Sequence, residues 1–330
     1  MREIAVKDAI REALDEEMER DPEIFLLGED IREYGLGGVT DGLYKKYPDR
    51  VLDTPLSETA IAGLALGAAY SGMKAVPEIM YEDFLTVVFD YIFNQASKNR
   101  YMTGMQEGGK DACWIVRAPG GTGYRAAAQH SQCVEAILMP IPGIKIAIPS
   151  TPYDAKGMMK YALRGNDPVV FLEHRIQYFS KGPVPDPGVD FVVPFGSSEV
   201  KLEGTDATIV ATQMMVEKSI SAAQKLAKEG ISVEVVDPRS LKPLDTKTII
   251  KSVEKTGRLV LASEACMTGN ALNEIAVCVM EHKAGILKAP LARVCGPDTP
   301  IPFSPILEDA WTRSADDIAE GVRKVMGGGK

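Results

Sequence analysis

Two stretches carry residues whose types and spacing suit chemistry. The first is DTPLSETAIAGLALGAAYSG, residues 53–72, where one carboxylate, Glu58, heads a run of small apolar residues. With Ser57 as a helix N-cap, Glu58 falls in the first turn, where the helix dipole favours a carboxylate by about 0.3–1 kcal/mol. That alone would account for the acid. It does not account for Gly63 and Gly67, since a glycine inside a helix costs about 1 kcal/mol relative to alanine. With Ser71 they form a small-residue ridge, which lets a second helix approach closely. A subunit contact there would desolvate the glutamate at the helix head.

The second stretch is GGTGYRAAAQHSQ, residues 120–132. Its 121–126 portion fits the dinucleotide fingerprint G-x-G-x-x-G/A, after a strand-like segment and before a helix expected over 126–138. The fingerprint also wants an acid at the end of the next strand, and GIKIAIPS ends instead in Pro149 and Ser150. The glycines are therefore read as allowing close approach to something other than a nicotinamide cofactor. His130 follows this loop beside Gln129 and Ser131, where parallel sheets place their ligands. A structural histidine is the competing explanation. His174, in FLEHR, has a similar but weaker setting, and His282 sits late in a helix and reads as structural or solvated. No P-loop, zinc spacing, G-x-S-x-G elbow or aspartate-rich Mg²⁺ cluster occurs.

Alternating strands and helices position these groups. EIFLLGED, AVPEIM, ACWIVRAP and GIKIAIPS read as strands, the first ending in acids. Helical patterns cover 58–71, 85–103 and 154–164 between them, and Val6, Ile10, Ala13, Leu14 and Met18 share one face of an opening helix. Such alternation predicts an α/β fold with a mostly parallel sheet flanked by helices. Proline and glycine then crowd 181–200, where no regular element is expected. The alternation resumes with ATIVATQ, VEKSISAAQKLAKEG, ISVEVVDPRSL, TKTIIKSVEKTG, RLVLASEA and NALNEIAVCVMEHKAG. The organisation expected is two domains, 1–185 and 201–330, joined by a linker at 186–200. The terminal Gly-Gly-Gly-Lys is expected to fray.

The formal net charge of −9 argues against a nucleic-acid partner. Runs such as 60–69 are too short to span a bilayer, so no membrane association is expected. The absence of a leader and of C-x-x-C pairs among the five cysteines points to a cytoplasmic protein with buried free thiols.

Taken together, DTPLSETAIAGLALGAAYSGMKAVPEIMYEDF, FDYIFNQASKNRYMTG, RAAAQHSQ, IPSTPYDAKGMM and NDPVVFLEH resemble the β subunit of the thiamine-diphosphate-dependent decarboxylase component of 2-oxo acid dehydrogenase complexes. VEVVDPRSLKPLD and ARVCGPDTPIPFSPILED extend the resemblance over nearly the whole chain. Pyruvate, acetoin and branched-chain 2-oxo acid dehydrogenases make up this family. The resemblance implies a pyrimidine-binding domain followed by a transketolase C-terminal-like domain, in a tetramer of two α and two β chains. It implies thiamine diphosphate bound between α and β, with Mg²⁺ and the diphosphate held by the G-D-G motif of the α chain. This chain has no G-D-G, so no Mg²⁺ site is expected in it.

By the same resemblance, Glu58 bonds the pyrimidine nitrogen of the cofactor, and the proton they share favours the imino tautomer that deprotonates the thiazolium ring. Phe84 packs on the pyrimidine with Met80 beside it, and His130 faces the substrate. Some members bind K⁺ through backbone carbonyls, at positions equivalent to Trp114, Ala162, Leu163, Gly165 and Asp167. The acyl unit would pass to the lipoyl group of an acyltransferase core. The wording of FNQASKNRYMTG and AAAQHSQ favours acetoin or pyruvate as substrate over a branched-chain 2-oxo acid. A transketolase-like half-enzyme, a nicotinamide oxidoreductase and a scaffold subunit without a working site are the rivals.

Overall fold

The structure is a computed structural model that describes residues 1–104 and 113–327. The expected fraying of 328–330 lies outside the described residues. The chain divides into two compact units. One comprises Met1–Gly120 and Ile137–Phe195, and the other Gly121–Ala136 and Gly196–Lys330. Segment 121–136, which the sequence reading left within 1–185, thus clusters with the second unit.

The first unit is built on parallel strands. Ile24–Gly28 lies between Val51–Asp53 and Lys74–Pro77. Single bridges at Ala75–Trp114 and Glu78–Arg117 continue the sheet to Ile115–Gly120, and from there to Val169–His174 and Lys145–Ala147. Apart from the edge strand Val51–Asp53, these strands are buried along nearly their whole length, as expected of a parallel sheet covered on both faces. The helix Val6–Arg20 buries Val6, Ile10, Ala13, Leu14 and Met18, the face its periodicity predicts. It packs against Pro152–Arg164, capped by the Thr151 side chain.

Three expectations are corrected. Residues 85–103 are not one α-helix: a 3₁₀ turn Glu82–Thr86 precedes a π-helical segment Tyr91–Ala96 and an α-helix Ser97–Thr103. Only Glu135–Leu138 of the helix expected over 126–138 is helical. Finally, Lys181–Val184, inside the proline-rich stretch, forms a strand antiparallel to Arg2–Ala5. This pair stands apart from the parallel strands, and an edge tolerates Pro183 because a ladder position facing away needs no N–H donor.

The second unit holds parallel strands in the order Ala292–Gly296, Leu259–Cys266, Ala207–Ala211 and Val233–Asp237, with antiparallel Glu199–Leu202 beside the last. Helices Met214–Ala227 and Ala315–Met326 cover it, and Val216, Leu226, Ile318, Val322 and Val325 join the strand residues in one apolar core. Each unit is thus the α/β sheet flanked by helices that the alternation predicts.

Candidate functional site

In the first unit, three neighbouring strands end on one edge. Gly28 is level with Asp53, and Leu27 with Pro77. The chain leaves Gly28 directly into Glu29, leaves Asp53 through a short extended stretch to Glu58, and leaves Pro77 towards Met80 and the turn bearing Phe84. Carboxyl ends of parallel strands are where such sheets bind ligands. Two bonds draw the first pair of exits together: the Thr54 N–H donates to the Gly28 carbonyl at 2.9 Å, and the Arg32 N–H to the Asp53 carboxylate at 2.9 Å.

Glu58 opens the helix Glu58–Tyr70, whose Ile61, Ala62, Ala65, Leu66 and Ala69 are buried. Ser57 stands at the N-cap in extended conformation, but its hydroxyl makes no capping bond. Glu58, Met80 and Phe84 are each partly exposed. Glu29 was not singled out from the sequence, although the two acids ending EIFLLGED were the available signal. Burial raises its carboxyl pKa, and the charges of Asp30 and Glu58 add to that rise. Among the described residues, neither Glu29 nor Glu58 makes a side-chain hydrogen bond or ion pair.

Beneath this edge lies a framework of paired charges. The Arg117 guanidinium donates to both oxygens of Glu173 at 2.7 Å and also to Glu78. The other Glu78 oxygen accepts the Leu36 N–H at 3.1 Å, and the Tyr178 hydroxyl donates to Glu173. Glu78, Arg117, Glu173 and Tyr178 are all buried. Burial alone would lower the arginine pKa, but the charges of Glu173 and Glu78 outweigh it and hold the group firmly protonated. Through Leu36 the framework also holds the loop that begins at Glu29. Further along the edge, Arg175 lies over the Tyr81 ring at 4.5 Å. Gly120 lacks the Cβ that would come within 2.5 Å of the buried Glu82 carboxyl.

His130 lies in the excursion 121–136, which belongs to the second unit. No helix begins at its glycines. Instead Gly121, Gly123, Arg125 and Ala127 take left-handed backbone conformations, and the His130 N–H donates to the Ala127 carbonyl at 3.4 Å. The dinucleotide fingerprint therefore lacks the helix N-terminus that would receive a pyrophosphate. Acids of the second unit anchor the excursion. The Thr122 hydroxyl donates to Glu264 at 2.8 Å, and the Gly123 N–H to Glu308 at 2.6 Å. The pKa of the buried Glu135 is raised by burial and by the charge of Glu264. His174 ends its strand in a buried position, whereas His282 pairs with Glu254 at 3.1 Å on the surface.

At the positions expected to bind K⁺, three of the backbone carbonyls each accept an N–H bond. The Leu163 carbonyl accepts the Lys74 ammonium at 2.8 Å, the Trp114 carbonyl accepts the Val169 N–H at 2.9 Å, and the Ala162 carbonyl accepts the Gly165 N–H at 3.1 Å. The Asp167 carboxylate pairs with Arg100 at 3.0 Å and with Lys145 at 3.7 Å. A cation on Leu163 would stand beside an ammonium already there, and two like charges about 4 Å apart repel by roughly 4 kcal/mol near a protein surface. All five cysteines are free thiols, but only Cys113 and Cys295 are buried, fewer than expected. No helix among the described residues is long and apolar enough to cross a membrane. Nor do those residues contain a group of three or more His, Cys, Asp or Glu placed to hold a metal ion.

Comparison with known proteins adds the following. Residues 2–181 match the transketolase pyrimidine-binding domain and residues 196–318 the transketolase C-terminal domain. The chain is 48% identical to the β subunit of acetoin:2,6-dichlorophenolindophenol oxidoreductase from Cupriavidus necator, covering 100% of this chain and 99% of the relative. It is 43% identical to the β subunit of 2-oxoisovalerate dehydrogenase from Bacillus subtilis, over 96% and 97% of the two chains. Among solved structures, a split-gene transketolase described as an inactive β4 tetramer matches with a TM-score of 0.79 and 25% identity, over 98% of this chain and 99% of that one.

Proposed function

Because the chain belongs to the family of β subunits of the acetoin, pyruvate and branched-chain 2-oxo acid dehydrogenases, we propose that it forms half of a thiamine-diphosphate site with Glu58 as the acid that handles the proton. The observation that carries this reading is the grouping at one strand edge. An acid without a partner among the described residues, a second acid with raised proton affinity, a thioether and an aromatic ring follow neighbouring strands at this edge. They suit the aminopyrimidine end of the cofactor.

When bound, thiamine diphosphate supplies the electron-accepting ring at which a bond beside a carbonyl is cleaved. Glu58 holds a proton at the pyrimidine nitrogen, and Glu29, whose proton affinity is raised by burial and by the charges of Asp30 and Glu58, lies at the same strand edge. Met80 and Phe84 cover the ring with apolar surface. His130 holds or moves a proton on the substrate side. Mg²⁺ and the diphosphate fall to an α subunit, in an assembly of two α and two β chains. The acyl unit leaves on the lipoyl group of an acyltransferase core, and the reaction is an oxidation of the donor.

The substrate we propose is acetoin, ahead of pyruvate, which the 48% identity supports. A branched-chain 2-oxo acid is the second reading, supported by the 2-oxoisovalerate relative. The test is co-expression with the adjacently encoded α subunit, followed by dye reduction with acetoin, pyruvate and branched 2-oxo acids compared side by side. The highest kcat/KM is expected with acetoin, and none with this chain alone. Turnover by the isolated chain would defeat the half-site reading. A preference for branched acids would move the substrate assignment and leave the site intact.

A further inference from the structure

We propose that Glu308 is a positioning residue for His130, an inference that rests on the reading of His130 as a group acting on the substrate side. Excursion 121–136 has no regular structure before Glu135. Two of its non-glycine residues, Arg125 and Ala127, sit at φ of 62° and 61°. The left-handed region costs an L-residue roughly 1–2 kcal/mol, and such conformations persist only where the surroundings over-determine them. A glycine at position 125 would adopt this backbone more cheaply, so what the arginine contributes is its side chain.

That side chain closes a clamp. Arg125 donates to Glu308 at 3.1 Å, to Asp309 at 2.7 Å and to the Pro305 carbonyl at 3.1 Å. The Glu308 side chain is fully buried, and its other oxygen takes the Gly123 N–H at 2.6 Å. One carboxylate therefore fixes the excursion at two points, two residues apart. Two residues beyond the clamp comes Ala127, whose carbonyl receives the His130 N–H. The path from Glu308 to the histidine is short, entirely within one unit, and runs through strained backbone that relaxes if the clamp opens. A buried carboxylate and its guanidinium also depend on each other, because removing either leaves the other's charge or donors uncompensated.

The test uses Glu308→Gln and Glu308→Ala. The chain has three histidines, so the imidazole C2 proton resonances can be assigned, that of His130 by a His130→Gln variant. In the full chain, Glu308→Ala should move the His130 resonance and leave that of His282 in place. Trypsin cleavage after Arg125 should quicken about tenfold or more as local opening becomes easier. In enzyme reconstituted with the α subunit, acyl transfer to a lipoyl acceptor should fall about 10–100-fold, the scale of a misplaced catalytic group, while hydrogen–deuterium exchange of the cofactor stays unchanged. Glu308→Gln, which keeps an acceptor for Gly123, should show the smaller change in each readout. If Glu308→Ala does not fold, Arg125→Met should move the same resonance by opening the clamp from its exposed side. An unmoved His130 resonance with unchanged cleavage would overturn the proposal, as would a loss of cofactor exchange equal to the loss of transfer. If His130→Ala leaves transfer untouched, the role of the histidine on the substrate side is wrong, while resonance and cleavage still decide the positioning.

Discussion

Two pairs of glutamates on the first-unit sheet receive opposite treatment. Glu78 and Glu173 lie buried, and their four oxygens are taken up by Arg117, Tyr178 and the Leu36 N–H. Glu29 directly follows a strand and Glu58 opens a helix, both partly exposed and with no side-chain bond among the described residues, and the proton affinity of Glu29 is raised. The first pair has its charge balanced from within the chain. Among the described residues the second has no such balancing partner. A carboxyl with a raised pKa at the carboxyl edge of a parallel sheet is a candidate site residue, whereas acids locked to an arginine belong to the frame beneath it.

The contrast breaks most visibly at Glu58. In enzyme assembled with its α partner, Glu58→Ala should slow hydrogen–deuterium exchange of the cofactor by about 10²–10⁴-fold, the usual worth of a positioned acid or base. The proposed assembly of two α and two β chains should remain intact by light scattering. Fast exchange in the variant would remove Glu58 from the proton path and leave its position at the helix head as its whole explanation.

On the other side of the contrast, Arg117→Met should act on stability. Two buried carboxylates would lose their counter-charge, and breaking a buried pair in this way costs about 3–5 kcal/mol. Thermal unfolding of the isolated chain reads this directly. A variant as stable as the parent chain would mean that the framework does not carry the edge above it.

Glu58 was legible in the sequence as an acid at the head of a helix, and the strand–helix alternation showed the sheet type of both units. The frame was not legible. ACWIVRAP reads as an apolar strand with one arginine, and the partners of Arg117 lie 39 and 56 residues away, a distance no local pattern reports. The His130 excursion was misread for a related reason. Its alanines favour a helix over 126–138, but the clamp on Arg125, supplied by residues 180 and more positions further on, holds a left-handed backbone that ends any helix there. At Lys181–Val184 the proline density obscured an edge strand whose partner is the start of the chain.

The small-residue ridge refines the comparison, because the structure separates its two glycines. A Cβ at Gly63 would come within 2.9 Å of the Tyr91 hydroxyl, whereas one at Gly67 would meet nothing within 4 Å. Gly63→Leu should therefore destabilise the isolated chain by about 1–3 kcal/mol, the cost of overpacking. Gly67→Leu should raise its melting slightly, since the helix loses an interior glycine, and weaken assembly with the proposed α subunit, with exposed Leu64 on the same helix. Equal effects of the two on chain stability would show the ridge to be internal packing only.

The smallest expected effect is at Glu29, and there the sign matters more than the size. A carboxyl whose folded pKa lies above its unfolded value binds its proton more tightly in the native state. Its contribution to stability is complete below the ordinary carboxylate range and is lost as pH rises through the raised value. Glu29 is such a group, through burial first and then the charges of Asp30 and Glu58. Once the pH exceeds that raised value it is ionised and weakly unfavourable, its exposure screening most of the penalty. Glu29→Gln should thus raise the Tm slightly at pH above that value and leave it unchanged in acid, where the parent carboxyl is already protonated. In the assembled enzyme the same change should slow cofactor exchange less than Glu58→Ala does. A Tm that falls at neutral pH would make Glu29 another paired structural acid, and the difference between edge and frame would then rest on Glu58 alone.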